Sequence, residues 1–231
     1  MELPKQVVKS TRNNPRLLTL FGQSKVGKTT ILTKLPNCLI VDTEKGTDLI
    51  DALKVNVSNL KELADLYKSL IEERKENKFH YDFIALDTLD KIVEWLDTAI
   101  CKNHGVTNLI DIPYGGGYNE VRIKTMQWIE RFERVTPHVI LSGHRKKTME
   151  TDENNTVSVA SLELPGRLKN LVMAESDAVG YIYRHKEEDK PSELMVSFVA
   201  DDELEAGARQ DHLRGKKFKF DWNKIYTDKQ N

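Results

Sequence analysis

The sequence is poor in cysteine. Among its 231 residues there are 2 cysteines, Cys38 and Cys101, which stand far apart and outside any Cys-x-x-Cys pattern. This usage predicts neither a disulfide framework nor a zinc site, and buried reduced thiols are the favoured interpretation.

Net charge and long apolar runs are also missing. Lys and Arg number 35 against 36 Asp and Glu, which leaves a net charge of −1. The chain therefore has no overall attraction to nucleic acid or to an anionic membrane, and any such binding needs a local patch. No apolar run approaches the roughly 20 residues of a membrane helix, and residues 1–5 lack the apolar core of a signal peptide. We expect a cytoplasmic protein that does not contact a membrane.

Short β-rich runs alternate with longer segments of helical period, the pattern of βα units around a mostly parallel α/β sheet. The length suits one domain of this kind. Predicted strands lie at 17–21, 37–41, 83–86 and 139–141, followed by a late strand pair at 177–183 and 193–199. Predicted helices cover 59–75 and 89–100, and a further helix follows residue 118.

Two stretches are predicted as loops. Residues 114–118, with the sequence Tyr-Gly-Gly-Gly-Tyr, are predicted to be flexible because three consecutive glycines leave the backbone unrestricted. Residues 145–165 are polar and mixed in charge, and they are also predicted to form a loop. Residues 201–231 hold an acidic stretch followed by a basic one, and we assign them to a C-terminal extension of the same domain.

Residues 22–29 fit the pattern Gly-x-x-x-x-Gly-Lys-Ser/Thr, placed after a predicted strand and before a helix. Such a loop wraps phosphates with backbone N–H groups, and the helix N-terminus near Gly27 adds a favourable dipole. Lys28 is expected to neutralise β- and γ-phosphate charge, and the Thr29 hydroxyl to ligate Mg²⁺. The other predicted nucleotide contacts are Gly22, Gln23, Ser24, Lys25, Val26 and Thr30. The alternative, a glycine turn with a surface lysine, would require all four fixed positions to match by chance.

Asp87 ends the third predicted strand, at the carboxyl edge where open α/β sheets bind their ligands. We expect it to hold Mg²⁺, through a water or via Thr29. An N-cap for the helix that starts at Leu89 is the alternative, and it is compatible with that role.

Hydrolysis also needs a carboxylate that activates the attacking water. In AAA+ and many helicase-like ATPases a Glu directly follows the magnesium Asp, but here Thr88 follows Asp87. Glu44 closes the second predicted strand, so it would project at the same sheet edge as Lys28. We predict that Glu44 is the catalytic base. The alternative is a carboxylate that only caps the following loop.

This placement resembles the RecA-type ATPases, whose catalytic Glu occupies the same position. Residues 139–144, Val-Ile-Leu-Ser-Gly-His, match the RecA-type strand that ends in a γ-phosphate sensor, with His144 at the sensor position. A neutral His donates one hydrogen bond to a phosphate, and a charged His does so more strongly. Without the resemblance, His144 would be interpreted as a surface residue at a strand end.

The sequence resembles the small phage-encoded RecA-like ATPases of the Sak type over about residues 16–200. The resemblance is carried by four short motifs, at residues 22–29, 42–44, 87–88 and 142–144. The resemblance implies a RecA-like P-loop ATPase domain over residues 1–200, with ATP and Mg²⁺ as ligands. It also implies a role in single-strand annealing and recombination, with single-stranded DNA as a partner and a homo-oligomeric ring or filament as the assembly. Related RecA-type proteins often carry a Lys-x-Arg element that reaches the nucleotide of a neighbouring subunit. Its nearest counterpart in this sequence is residues 207–209. It lacks the lysine, so Arg209 is either the intersubunit cation or a solvated surface residue.

The resemblance further implies mobile DNA-binding loops at 111–119 and 145–165. Single-strand binders combine aromatic stacking platforms with basic side chains. The candidates here are Tyr114, Tyr118, Arg122, Arg145, Lys146 and Lys147. Ordinary solvated loops are the alternative interpretation of the same residues.

Two other classes of function stay open. The first is a nucleotide-dependent binding module, or a loader for a replication partner such as a single-strand-binding protein. The second is a small-molecule P-loop kinase. Such kinases usually close an arginine-rich lid over the phosphates, and segment 145–165 has only one arginine, so the kinase is disfavoured.

Overall fold

The chain alternates strands and helices over most of its length. The structure is a computed structural model that describes residues 3, 5–10, 12–152, 155–186 and 191–227. The strands are β1 Leu17–Gly22, β2 Cys38–Asp42, β3 Lys54–Asn56, β4 Phe83–Asp87, β5 His138–Asp152, β6 Asn155–Leu162, β7 Ala178–His185, β8 Glu193–Ser197, β9 Gly207–Ala208 and β10 Lys217–Lys219. The helices are α1 Lys28–Leu32, α2 Leu60–Lys75, α3 Leu89–His104, α4 Gly116–Val135, α5 Gly166–Glu175 and α6 Trp222–Ile225.

One sheet carries the fold, with the strand order β10-β8-β7-β1-β5-β4-β2-β3. Every pair from β7 to β3 is parallel. The pairs β7–β8 and β8–β10 are antiparallel. The predicted α/β fold, a mostly parallel sheet with a late antiparallel strand pair, is confirmed.

Helices cover both faces of this sheet, and the apolar core is divided into two layers. Alternate residues of β1 illustrate the division, because Leu17 and Phe21 belong to one layer and Leu18 and Leu20 to the other. Helices α2, α3, α4 and α5 pack on the first face, and α1 and α6 pack on the second. Strands buried on both faces must be apolar throughout, which explains their continuous apolar runs.

Helix α2 shows how closely local signals determine an element. The Asn59 side chain caps its start by accepting hydrogen bonds from Lys61 N and Glu62 N, both at 3.0 Å. The Glu62 carboxylate in turn accepts from Ser58 N at 2.8 Å. These bonds satisfy backbone donors that a helix start leaves unpaired. The helix runs from residue 60 to 75, as its apolar stripe predicts.

The prediction of a loop over 145–165 is wrong. Strand β5 continues beyond the sheet to Asp152, and β6 returns antiparallel to it, from Asp152↔Asn155 to Arg145↔Leu162. Val159 and Leu162 of β6 are buried. Polar composition suggested a loop, but this segment is rich in Thr and Val, whose branched side chains favour strands. Tertiary burial of the β6 end then stabilises the hairpin.

The prediction of a flexible loop over 114–118 is also wrong. Single 3₁₀ turns cover Leu109–Asp111 and Pro113–Gly115, and α4 begins at Gly116. A Cβ on Gly117 would lie 2.8 Å from Leu109 O and 2.9 Å from Ile112 Cδ1. This glycine therefore serves close packing rather than flexibility. Gly115 has φ 69° and caps α4, a conformation that glycine adopts at little cost.

The C-terminal segment packs on the α1 face of the sheet. Strand β10 pairs with β8, and Trp222 and Ile225 of α6 are buried. Residues 228–231 of the predicted extension lie outside the described residues. Both cysteines are buried and unbridged, in agreement with the prediction for them. Within the described ranges, no helix combines the length and the apolar character needed to cross a membrane.

Candidate nucleotide site

Four strands end together at one edge of the sheet, and the predicted site residues lie there. The strand register sets Asp42 beside Asp87 and Gly22 beside His144. A cavity of about 370 Å³ opens at this edge. Nine predicted site residues line it: Ser24, Lys25, Gly27, Lys28, Thr29, Thr30, Glu44, Asp87 and His144. Residues from four distant segments of the chain are thus brought to one place.

The phosphate loop has the conformation that its glycines permit. Gly27 has φ 118° and caps α1, and this conformation is strained for any residue with a side chain. A Cβ on Gly22 would lie 2.5 Å from Ile182 O, so only glycine fits where the chain leaves β1. Val26 is buried in the apolar layer of the α1 face and anchors the loop from behind. Gly22, Gln23 and Val26 therefore shape the loop without lining the cavity.

The Lys28 ammonium is already held in place. Its Nζ donates to Gly22 O at 3.2 Å and to Gln23 O at 3.0 Å, and the residue is 7% exposed. Burial lowers the pKa of Lys28, and the negative charges of Asp87, Asp90 and Glu44 offset part of this effect. An incoming phosphate would give this buried cation a direct anionic partner.

Thr29 and Asp87 form a pair of oxygen donors next to Lys28. The Thr29 hydroxyl donates to Asp87 Oδ2 at 2.6 Å. Among the described residues, the buried Asp87 Oδ1 has no hydrogen-bond partner. A buried carboxylate oxygen without a partner is costly unless a cation or water binds it. Carboxylate and hydroxyl oxygens are the ligands that Mg²⁺ prefers, so these two residues fit a magnesium site. Mg²⁺ held there would neutralise charge that develops on the β- and γ-phosphates.

Asp42 shapes the loop that presents Glu44. Its carboxylate accepts hydrogen bonds from Glu44 N at 3.0 Å, Gly46 N at 3.1 Å, Thr47 N at 2.8 Å and Thr47 Oγ1 at 2.5 Å. Burial raises the pKa of Asp42, but these hydrogen bonds outweigh it and hold the pKa below its ordinary value. The loop is therefore rigid at its base, while the Glu44 side chain is exposed at the cavity.

The same loop is tied to the end of β4. Thr43 N donates to Asp87 O at 2.8 Å, and Thr88 N donates to Thr43 Oγ1 at 2.8 Å. These bonds tie the Glu44 loop to the strand end that carries Asp87.

Asp90 belongs to the site although the sequence interpretation missed it. It lies in the first turn of α3, and its Oδ2 accepts a hydrogen bond of 2.6 Å from His144 Nδ1. The side chains of Glu44, Asp90 and His144 come close together. One carboxylate oxygen from each acidic residue and one ring nitrogen of His144 all lie within 4.8 Å of one another. The sequence signal that could have identified Asp90 is its distance from Asp87 along the chain. A residue three positions after an Asp at a strand end lies in the first turn of the next helix, at the same edge of the sheet.

The predicted DNA contacts do not form one track. Tyr114, Tyr118 and Arg122 line a cavity of about 540 Å³ between the N-termini of α4 and α5, together with Arg167, which was not predicted. Arg145 instead donates to Tyr181 Oη at 2.6 Å. Lys146 and Lys147 are exposed on β5.

Arg209 makes its contacts inside its own chain. Its Nη1 lies 3.3 Å from Asp177 Oδ1, and its Nη2 donates to Ala174 O. It lines a different cavity from the one at the phosphate loop. A further arginine, Arg184 of β7, lies beside the loop, since a Cβ on Gly27 would be 3.6 Å from its Nη2.

Three comparisons with known proteins bear on this site. The family model described as AAA domain, AAA_24, matches residues 14–210. The chain is similar to the SPbeta prophage-derived uncharacterized protein YorG of Bacillus subtilis (strain 168), with 22% identity over 131 residues, which make up 56% of this chain and 41% of that protein. The match thus spans less than half of that relative's length. Among solved structures, the chain is similar to the flagellar accessory protein FlaH from Methanocaldococcus jannaschii, with a TM-score of 0.42 and 10% identity over 79% of this chain and 76% of that one.

Because the family model matches most of the sequence, the chain belongs to the AAA domain family AAA_24, which places it among the nucleotide-binding ATPase domains.

Proposed function

We propose that this protein is a Mg²⁺-dependent ATPase of phage DNA metabolism that works on single-stranded DNA in the host cytoplasm and promotes annealing or recombination. One observation supports the ATPase most strongly. Lys28, Thr29, Glu44, Asp87 and His144 line a single cavity although they come from four separate segments of the chain. The prophage origin of a similar protein supports the phage setting.

Each residue has a distinct role in hydrolysis. The phosphate loop and Lys28 bind the β- and γ-phosphates, and Thr29 with Asp87 holds the metal. Glu44 accepts a proton from water while the water oxygen attacks the γ-phosphorus, and the bond to the β-phosphate oxygen breaks to release ADP and phosphate. The proton on Glu44 then returns to solvent. The exposed position of Glu44 at the cavity leaves room for that water.

The RecA-type branch is part of this proposal. It is supported by the position of the base, because position 88 carries Thr rather than a carboxylate while Glu44 lies one strand away, at the end of β2. Strand β5 lies between β1 and β4 and brings His144 to the same cavity. His144 is thus available as the γ-phosphate sensor that the resemblance implies.

Replacing Glu44 by Gln tests the hydrolytic step. Glu44→Gln retains the shape of the side chain and loses the base, so we expect nucleotide affinity within about twofold of wild type and a kcat lowered by about 10²- to 10⁴-fold. Asp48→Asn is the matched control, because Asp48 is an exposed carboxylate that does not line the cavity. Phosphate release with Mg²⁺·ATP is the assay. An unchanged rate in Glu44→Gln would remove Glu44 as the base, and a wild-type chain without ATPase activity would refute the proposed function.

The cavity between α4 and α5 supports single-stranded DNA as the partner. Tyr114 is fully exposed and Tyr118 is 49% exposed, so both rings are accessible for stacking. Arg122 and Arg167 line the same cavity. The N-termini of two helices also converge there, and helix N-termini favour phosphate groups. Stacking rings and cations are the elements that bind single strands without reading their sequence.

Fluorescence anisotropy with a labelled oligo-dT strand tests this partner. Tyr114→Ala should weaken binding about 5- to 150-fold, the loss of one base-stacking contact worth about 1–3 kcal/mol. Tyr81→Ala is the matched control, because Tyr81 precedes β4 at the opposite edge of the sheet. Single-stranded DNA should also raise the rate of ATP hydrolysis. Absence of both binding and stimulation would refute the DNA partner and leave the loader or binding module. Oligomer mass, measured in the same samples, tests the ring or filament.

A further inference from the structure

Asp90 and its hydrogen bond to His144 have no part in the ATPase roles described above. The hydrogen bond from His144 Nδ1 to Asp90 Oδ2 measures 2.6 Å, and the two side chains are 21% and 17% exposed, respectively. Within the described residues, the other carboxylate oxygen, the buried Asp90 Oδ1, accepts no hydrogen bond. Asp90 therefore has His144 as its principal partner, and the ring of His144 is held in one orientation.

This hydrogen bond determines which proton His144 carries. An ionised carboxylate only accepts, so Nδ1 must bear the hydrogen. In a neutral ring Nε2 is then a bare acceptor, and it cannot donate to an anionic phosphate oxygen. Only the imidazolium, which has a hydrogen on both nitrogens, can bond Asp90 and a phosphate at once. A sensor role for His144 therefore requires the charged ring.

The surroundings favour the charge. The hydrogen bond to Asp90 raises the pKa of His144, burial opposes it, and the negative charge of Asp90 adds to the rise. Of the other two nearby charges, Lys28 lowers the pKa and Glu44 raises it. The net direction is upward. A γ-phosphate in the cavity would add negative charge and favour the imidazolium further.

We propose that Asp90 is a positioning residue that holds His144 as a charged hydrogen-bond donor to the γ-phosphate, so that the site distinguishes ATP from ADP by a protonated histidine. Asp90 itself does not touch the nucleotide. This inference rests on the proposed ATPase function, because His144 lines the cavity proposed to bind ATP.

Two substitutions separate positioning from charge. Asp90→Asn retains a carbonyl oxygen that accepts from Nδ1 and removes the negative charge, whereas Asp90→Ala removes both. In the wild type, we expect kcat to fall as the pH rises through the pKa of His144. In Asp90→Asn this fall should begin at lower pH, so that kcat near pH 8 lies below the wild-type value, by up to about tenfold for each unit by which the pKa of His144 decreases. As the pH is lowered, His144 becomes charged in both proteins, and the rate of Asp90→Asn should approach the wild-type rate. Asp90→Ala should remain slow across this pH range.

Two binding readouts make the test independent of turnover. The ratio of ATP to ADP affinity, measured by calorimetry, should fall in Asp90→Ala and, near pH 8, in Asp90→Asn. The pH titration of the His144 ring, followed by NMR on histidine-labelled protein, should move to lower pH in Asp90→Asn. Glu94→Gln is the matched control and should change neither readout. Glu94 is an exposed carboxylate in the same helix as Asp90, and it forms an ion pair with Lys91.

The outcomes distinguish the two proposals. If the wild type hydrolyses ATP but Asp90→Asn has the same pH profile, affinity ratio and His144 titration, the role of Asp90 is wrong and the ATPase assignment stands. If the wild type hydrolyses no ATP, the proposed function fails, and an unchanged affinity ratio and titration would then overturn the role of Asp90 as well.

Discussion

Removing the Trp222 side chain should destabilise the protein and weaken its hold on nucleotide. Trp222 is 9% exposed and packs in the same apolar layer as Ile31 and Leu32 of α1. Its Nε1 donates to Ile31 O at 2.7 Å. Helix α1 has five residues, too few to be stable alone, so its position depends on such packing. The same helix begins at Lys28 and contains Thr29.

The magnitude follows from the burial. A buried Trp removes roughly 150–250 Å² from water, which at about 25 cal/mol per Å² corresponds to roughly 4–6 kcal/mol as an upper bound. Large-to-small changes at aromatic core positions cost about 3–5 kcal/mol, and we expect Trp222→Ala in that range. The melting temperature should fall by about 6–20 °C for a chain of this size. Trp222→Phe should cost about 1–2 kcal/mol, because Ile31 O also accepts from Lys34 N at 3.1 Å and is not left without a partner.

Urea unfolding followed by circular dichroism measures the stability, and calorimetry at a temperature where all variants are folded measures ATP affinity. Trp95→Ala is the matched control, because Trp95 is partly buried in the layer on the other face of the sheet. It should lose stability without losing ATP affinity. If Trp222→Ala unfolds within about 1 kcal/mol of wild type, or binds ATP as tightly, then α6 does not support the phosphate loop.

Three further changes test the site and the fold. Asp42→Asn should destabilise the protein at neutral pH. The pKa of Asp42 is lower in the folded state, so its contribution to stability is present above the unfolded pKa of about 3.9 and is lost as the pH falls through the folded pKa. Urea unfolding should therefore show that the difference in stability between Asp42→Asn and wild type decreases in acid. Lys28→Ala should abolish measurable ATP binding in calorimetry, and unchanged affinity would contradict the whole site. Gly117→Ala should lower the stability by about 1–3 kcal/mol in thermal unfolding, because its Cβ would meet Leu109 O, whereas a true flexible loop would tolerate it.

The parts of the fold that were predicted correctly depend on local signals. The β1 run, the glycine pattern after it and the Asn59 cap each involve residues close together in sequence, whose chemistry restricts the backbone directly. Because parallel strands end at a common edge, the same signals also predicted that Lys28, Glu44 and Asp87 would converge.

The parts that failed depend on distant partners. The hairpin over 145–162 forms because two polar strands pair with each other and bury the β6 end, which composition does not show. The three glycines of 114–118 predict a flexible loop, but the lack of a side chain at Gly117 is needed for its contact with Leu109 and Ile112.

The sequence by itself determined the glycine-rich loop after β1, the mostly parallel sheet and the convergence of Glu44 and Asp87 at its edge, because these follow from periodicity and short motifs. Only the tertiary structure decided that Asp90 bonds His144 and that Arg167 joins the tyrosines in one cavity. The physical reason is that hydrogen bonds and cavities depend on distances between side chains from different elements. Those distances are set by how helices and strands pack, which no local pattern encodes.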